Sequence, residues 1–85
     1  MTNEKPIIIT EHAEERMRRY KISREIVISC IRKPDEVVSS YGGRLIAHKF
    51  RGRYVLRVVY EEDTLITVIT VYWARRERYA GKAKV

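Results

Sequence analysis

The last third of the chain constrains the fold most, because two β-branched runs lie on either side of a short acidic segment. Residues 53–61 and 64–73 are rich in Val, Ile, Thr and Tyr, and Glu62-Asp63 separates them. Such runs, broken by a polar pair, are typical of two antiparallel strands joined by a hairpin turn. We therefore expect a β-hairpin there, followed directly by a basic segment over residues 75–78.

Two short helices precede the sheet in the predicted order. Residues 6–9 predict a first strand, and Thr10 is a good N-cap for a helix that reaches residue 20. Ser23 is the N-cap of a second helix, which Pro34 ends because the residue before a proline is disfavoured from helix. The helices are short and close together, so they predict a helix hairpin.

Four further strands complete the predicted sheet, at about 36–41, 44–50, 53–61 and 64–73. Gly42-Gly43, Arg51-Gly52 and Glu62-Asp63 mark the turns between them. The chain is therefore predicted to be one α+β domain over residues 1–85. Its order is β-α-α-β-β-β-β, with the helix hairpin packed on one face of an antiparallel sheet.

Two-residue turns at Arg51-Gly52 and Glu62-Asp63 would fix the strand register. Ala47 would then lie opposite Leu56, Leu56 opposite Ile69, Arg53 opposite Tyr72 and His48 opposite Val55. The predicted helix side of the sheet is almost entirely apolar: Leu45, Ala47, Leu56, Val58, Leu65, Ile69 and Val71. The predicted outer face is mixed: Ile46, His48, Phe50, Arg53, Val55, Arg57, Val68, Thr70 and Tyr72.

The net charge of +7 is unevenly distributed. Residues 34–74 are balanced, so the excess lies on residues 11–33 and on the basic end, 75–85. Clustered positive charge favours nucleic acid or an acidic protein segment as a partner, although a solubility charge would give the same count. No apolar run is long enough for a membrane span, and the start lacks the pattern of a signal peptide. The single cysteine, Cys30, cannot form an internal disulfide, which favours the reducing cytoplasm.

Arg57, Tyr72 and His48 are candidate catalytic residues on the outer face. Arg57 interrupts a β-branched strand, where it forms either a phosphate clamp or an ordinary surface ion pair. Cleavage of RNA without a metal requires one group that takes a proton from the 2′-OH and another that gives one to the 5′-oxygen. Histidine and a perturbed tyrosine can do this, but both residues also suit an exposed strand face.

Two further groups carry candidate residues. His12, Arg16 and Arg19 lie at helical spacing and form either a solvated face or a basic ridge with a proton-transfer histidine. The basic end contains Arg75, Arg76 and Arg78 beside Tyr79, a mixture found in RNA-binding segments and also in frayed termini. Two distant histidines and one helical cysteine do not form a metal-ligand spacing, and no cofactor motif is present, so neither a metal nor a cofactor is expected.

Several stretches resemble the RelE/ParE toxin superfamily. Residues 68–79 resemble its last strand and Arg-Glu-Arg ending, and residues 56–60 resemble its penultimate strand with an arginine. Residues 10–17, with Ile22-Ser23 and Lys33-Pro34, are similar to a small uncharacterised family of that superfamily whose first helix carries His-Ala-x-x-Arg-Met. BrnT-like toxins are a neighbouring resemblance through residues 74–79.

The resemblance implies cleavage of mRNA, often on the ribosome, without a metal, and a cognate antitoxin that covers the active face. Arg57 would hold the scissile phosphate, and Arg75, Arg76 or Arg78 would match the C-terminal cations. Tyr79 or Tyr72 would match the C-terminal tyrosine that handles protons. Apart from the resemblance, Arg16 and Arg19 on the helix ridge and Arg53 on the outer face are candidate RNA contacts. The family's lysine-rich loop is reduced to Lys49, Arg51 and Arg53. A non-catalytic RNA- or protein-binding module, or an inhibitor of a target such as gyrase, is therefore the alternative.

Overall fold

The computed structural model describes residues 5–78, which form five strands and two helices in the predicted order. The strands are β1 (Ile7–Ile9), β2 (Glu36–Ser39), β3 (Leu45–Arg51), β4 (Tyr54–Glu62) and β5 (Ile66–Arg75). The helices are α1 (Glu11–Tyr20) and α2 (Arg24–Arg32), and short 3-10 turns cover Tyr41–Gly43 and Arg76–Arg78. The α+β class and the β-α-α-β-β-β-β order are confirmed. No helix within residues 5–78 has the length and apolar character needed to cross a membrane.

Both helices begin at the predicted caps. The Oγ1 atom of Thr10 accepts a hydrogen bond from the backbone N–H of Ala13 at 3.2 Å, and the Oγ atom of Ser23 accepts one from Ile26 at 3.2 Å. Each bond satisfies a backbone donor that has no partner within the first turn of a helix. Lys21 ends α1 in the left-handed region, with φ of 56°, so the chain turns sharply into α2.

The sheet has the order β1-β5-β4-β3-β2. Strands β2 to β5 form the predicted antiparallel meander, and β1 adds a parallel pairing with β5. The two helices cover one face, called here the helix side, and the opposite face is called the outer face. Apolar side chains from the helices and the helix side form the core: Ala13, Met17, Ile22, Val27, Cys30, Ile31, Ala47, Leu56, Val58, Tyr60, Ile66, Val68 and Val71.

The first hairpin turn differs from the predicted one by a single residue. Arg51 pairs with Tyr54, so the turn consists of Gly52 and Arg53, with Gly52 at a φ of 61°. This shift moves each pairing by two positions and leaves the faces unchanged. The predicted partners across β3 and β4 are therefore wrong: Ala47 lies opposite Val58, and His48 opposite Arg57. The predicted partners across β4 and β5 are also wrong, because the second hairpin differs as well: Leu56 lies opposite Trp73, and Arg57 opposite Tyr72. Arg53 lies in the turn and does not face Tyr72.

The second hairpin contains a β-bulge that the sequence analysis did not predict. Glu62 pairs with Ile66 across a three-residue turn, and Ile69 is an extra residue where the register shifts. Compared with the predicted two-residue turn, the longer turn moves the residues in the first part of β5 to the opposite face of the sheet. The bulge then returns the residues beyond Ile69 to their predicted faces. The assignments of Leu65 and Ile69 to the helix side and of Val68 to the outer face are therefore wrong. Ile66 and Val68, both 0% exposed, lie in the core instead.

Thr10 links the start of α1 to this bulge. Its hydroxyl donates to the carbonyl oxygen of Val68 at 2.8 Å and lies 3.3 Å from that of Ile69. Its backbone N–H also donates to the Val68 oxygen, at 3.2 Å. The same side chain thus caps the helix and supplies a donor at the irregular part of the sheet.

Cys30 lies in the core, 0% exposed, with its Sγ atom 3.5 Å from the carbonyl oxygen of Ala47. Burial, which disfavours the charged thiolate, raises the pKa of the thiol from 9.0 to about 12. Between these values the unfolded chain loses this proton while the folded chain keeps it, so stability falls as pH rises. One such group contributes a slope of about 1.4 kcal/mol per pH unit.

We expect Cys30→Ala to have a shallower loss of stability between pH 9 and 12 than the original chain. Tyr60, whose pKa is raised first by burial, then by Glu62 and least by Cys30, titrates in both proteins, and only the part due to Cys30 is lost in the variant. That part also makes the loss of stability shallower in Cys30→Ala. Urea unfolding at a series of pH values measures the difference. Identical slopes for the two proteins would contradict the buried, protonated thiol.

Candidate functional site

Four polar side chains lie in one line across the outer face. Glu36 on β2 is paired with His48 on β3, His48 with Arg57 on β4, and Arg57 with Tyr72 on β5. Residues directly opposite each other in a sheet project from the same face. Glu36, His48, Arg57 and Tyr72 are called here the polar row.

Hydrogen bonds connect every neighbour in the polar row. The Nδ1 atom of His48 is 2.7 Å from the Oε2 atom of Glu36. Arg57 donates from Nε to the Nε2 atom of His48 at 3.0 Å, and from Nη1 to the Oη atom of Tyr72 at 2.7 Å. The guanidinium also lies 5.5 Å from the centre of the Tyr72 ring. Arg57 is therefore held from both sides.

The bonding pattern determines the tautomer of His48. A guanidinium has donors and no acceptor, so the Nε2 atom must accept through its lone pair. The ring proton then belongs on Nδ1, where it donates to the carboxylate of Glu36. A charge-assisted bond of 2.7 Å suits this arrangement.

His48 is 2% exposed, whereas Arg57 and Tyr72 are half-buried. Ile46 and Val55, both buried, lie on the same face, and the ring of Phe50 is 6.2 Å from that of His48. A buried imidazole with both nitrogens bonded is suited to orienting Arg57. Of the predicted catalytic residues within the described chain, Arg57 and Tyr72 are the pair that this row presents to solvent.

Arginines continue the positive surface at the end of the sheet next to the first hairpin turn. Arg76 lies over the ring of Phe50, 4.5 Å from its centre, and its backbone N–H donates to the carbonyl oxygen of Arg53 at 2.8 Å. Arg53, Arg75, Arg76 and Glu77 line a cavity of about 450 Å³, called here the arginine hollow. Three of the predicted RNA-binding residues therefore meet beside the polar row.

The other candidate residues lie elsewhere. His12 is exposed in the first turn of α1, beside a cavity of about 640 Å³ that Glu11, Glu14, Glu15 and Arg18 also line. Arg19 forms an ion pair with Glu15 at 3.3 Å. In the described chain no hydrogen bond joins His12 to Arg16 or to the polar row.

Two predicted positions fall at the boundary of the described residues. Arg78 is the last residue of the final 3-10 turn, and Tyr79 lies outside the described residues. The role that the resemblance implies for Tyr79 therefore stays a prediction.

Sequence reasoning missed Glu36 and Phe50 as parts of the site. Their signal was weak: Glu36 begins a strand after Pro34-Asp35, and Phe50 precedes a turn. Phe50 was already placed on the face of Arg57, and the pairing of Glu36 with His48 would have added Glu36 to that face. Within residues 5–78 no group of three or more His, Cys, Asp or Glu side chains is placed to hold a metal ion.

Comparison with known proteins identifies the family of the chain without giving an activity. A family model described as a domain of unknown function, DUF4258, matches residues 9–73. The chain therefore belongs to the DUF4258 family. No curated protein and no solved structure gave a match.

The tautomer of His48 can be observed directly by NMR. We expect long-range ¹H–¹⁵N spectra to show a protonated Nδ1 and an unprotonated Nε2 for His48, because Arg57 donates to Nε2. His12, the other histidine of the chain and fully outside this network, is the internal control. A proton on Nε2 of His48 would contradict the described bond from Arg57.

Proposed function

We propose that this DUF4258 protein is a cytoplasmic endoribonuclease of the RelE/ParE type, which cleaves mRNA without a metal and is neutralised by an antitoxin. The observation that carries the proposal is the polar row, in which a half-buried Arg57 is held between His48 and Tyr72. The arginines at the adjacent end of the sheet add positive charge where an RNA backbone would pass.

The proposed reaction is attack by a ribose 2′-oxygen on the neighbouring phosphorus. The 2′-OH loses its proton, a new P–O2′ bond forms, the P–O5′ bond breaks, and the 5′-oxygen gains a proton. The products are a 2′,3′-cyclic phosphate and a free 5′-OH, and no redox partner is required. The transition state carries extra negative charge on the phosphate oxygens, so a fixed guanidinium beside them accelerates the reaction.

Arg57 is suited to this phosphate because its position is set before RNA binds. The bonds to His48 and Tyr72 restrict its rotation, and Glu36 in turn orients the imidazole. A preorganised donor need not reorganise when charge develops. His48 and Glu36 are thus positioning residues in the proposal, and Arg57 is a catalytic residue.

Tyr72 is suited to giving a proton to the leaving 5′-oxygen. Its Oη atom accepts a hydrogen bond from Arg57 at 2.7 Å, so its own O–H is directed away from the guanidinium. The resemblance offers Tyr79 as the other candidate for the C-terminal tyrosine that handles protons, and in this proposal Tyr79 takes the proton of the 2′-OH.

An antitoxin would act by covering the outer face. The polar row and the arginine hollow lie at the same end of the sheet, so one acidic segment could contact both. Such a segment would compete with RNA for the same arginines.

One observation favours a second candidate, a non-catalytic RNA-binding module. His48, the residue type best suited to proton transfer at neutral pH, is 2% exposed and bonded on both ring nitrogens. In a binding module the same polar row would hold a phosphate without breaking a bond. Measurement of cleavage separates the two candidates.

We expect the purified protein to cleave free mRNA in the presence of EDTA, or ribosome-bound mRNA in the Mg²⁺ buffer that ribosomes require, and to leave 2′,3′-cyclic phosphate ends. Arg57→Ala should lower the rate by roughly 10² to 10³-fold through loss of the charge at the phosphate. Arg57→Lys should recover little of this, because an ammonium cannot reproduce the two-sided bonding of the guanidinium. Tyr72→Phe should lower the rate by roughly 10² to 10⁴-fold.

Arg24→Ala is the matched control, since it removes one exposed arginine from α2, where the closest described partner is Glu14 at 3.9 Å. Circular dichroism establishes that each variant is folded. RNA binding without cleavage products would support the binding module. If the protein stops gyrase from supercoiling DNA and leaves RNA intact, it would instead be a gyrase inhibitor.

A further inference from the structure

A second surface, on the helix side of the same hairpin, carries an exposed aromatic group between two arginines. Arg51 pairs with Tyr54, and Tyr54 pairs with Arg75, so these three side chains project from one face of β3, β4 and β5. Trp73 is on the same face, opposite Leu56 and diagonal to Tyr54. Arg51, Tyr54 and Trp73 line a cavity of about 420 Å³, called here the aromatic hollow.

We propose that the aromatic hollow binds one unpaired base of single-stranded RNA, with the phosphates on either side of that base held by Arg51 and Arg75. The inference rests on the proposed function in taking RNA as the ligand, and it adds a subsite for which single-stranded RNA is required. A base paired in a duplex is already stacked and cannot enter.

The aromatic side chains present a surface to which a base can stack. Tyr54 is 49% exposed, and Trp73 is half-buried, with one part packed against the core. This anchoring fixes the indole ring before a ligand binds, so little conformational entropy is lost on stacking. A planar base on such a ring contributes much of the affinity of single-strand binding proteins and tolerates different sequences.

The arginines supply the complementary charge. Arg51 and Arg75 are exposed on either side of Tyr54, and the ion pair of Arg75 with Glu77 is long, at 3.5 Å, and well exposed. Such a pair is weak, so a phosphate can replace the carboxylate. Cation, aromatic ring and cation in one row match the alternation of phosphate, base and phosphate along an extended strand.

The aromatic hollow is connected to the polar row by continuous positive charge. Arg75 belongs to the row of Tyr54 and also lines the arginine hollow, together with Arg53 and Arg76. Arg76 lies over Phe50, which is on the outer face with His48. Tyr54 and Arg57 are three residues apart on β4, a rise of about 10 Å, so a few nucleotides span both sites around the hairpin turn.

The test uses the full chain and a single-stranded 2′-O-methyl oligoribonucleotide of about 12 nucleotides, within the range of single-strand binding sites. The blocked 2′-oxygen cannot attack phosphorus, so binding is measured without cleavage. Trp73 is the single tryptophan of the chain, so stacking on it should quench the intrinsic fluorescence of the protein. Tyr54→Ala should weaken binding by roughly 5- to 100-fold, the range of one base–aromatic stack.

Tyr41→Ala is the matched control, because Tyr41 is 92% exposed in the turn before β3 and lies outside both hollows. It should bind as the original chain does. An oligonucleotide of the same length and charge without bases should bind weakly and leave Trp73 unquenched. The duplex form of the RNA should also leave Trp73 unquenched.

The subsite would be overturned by no quenching with the single strand, by equal quenching with the duplex or with the strand without bases, or by equal affinities for Tyr54→Ala and Tyr41→Ala. Quenching by an acidic peptide in place of RNA would also overturn it and indicate a protein-docking surface. The result is independent of the proposed cleavage. Quenching that depends on Tyr54, with no cleavage, would support the base-binding subsite and contradict the proposed nuclease activity. Cleavage that depends on Arg57, with no quenching, would support the nuclease activity and contradict the subsite.

Discussion

The β-bulge at Ile69 is the irregularity on which both faces of the sheet depend. The three-residue turn after Glu62 places Ile66 and Val68 in the core, but the same alternation, continued without a bulge, would turn Thr70 and Tyr72 to the helix side. With one extra residue at Ile69, Val71 reaches the core instead. Tyr72 then projects from the outer face, opposite Arg57. Core packing and the candidate site are thus compatible only because the strand is irregular.

The hydrogen bonds of the polar row satisfy a buried histidine and also fix the orientation of Arg57. Burying an imidazole is costly unless its nitrogens are bonded, and Glu36 and Arg57 satisfy both of them. Among the described residues no buried side-chain nitrogen or oxygen lacks a hydrogen-bond partner. The cost of placing His48 inside the sheet face is therefore offset by bonds that also hold a half-exposed arginine in one orientation.

The elements could be predicted from the sequence because their signals are local. Thr10 and Ser23 cap helices through neighbours three residues away, and the β-branched runs alternate over short distances. The pairing between strands could not be predicted, because it depends on turn geometry and on the bulge. Arg57, His48 and Tyr72 were correctly placed on one face, but their direct contacts depend on both hairpins. The Gly52-Arg53 turn brings His48 opposite Arg57, and the longer second turn with its bulge brings Tyr72 opposite Arg57.

The parallel pairing of β1 with β5 has a consequence for synthesis of the chain. Ile7 pairs with Ile66, and α1 packs against β5, so both β1 and α1 have their partners in the last described strand. Contacts this distant in sequence form late, because a long loop must close before they are gained. On a translating ribosome, β1 and α1 must therefore wait for β5 to emerge from the exit tunnel. The polar row, which also needs Tyr72 from β5, is completed only at that stage.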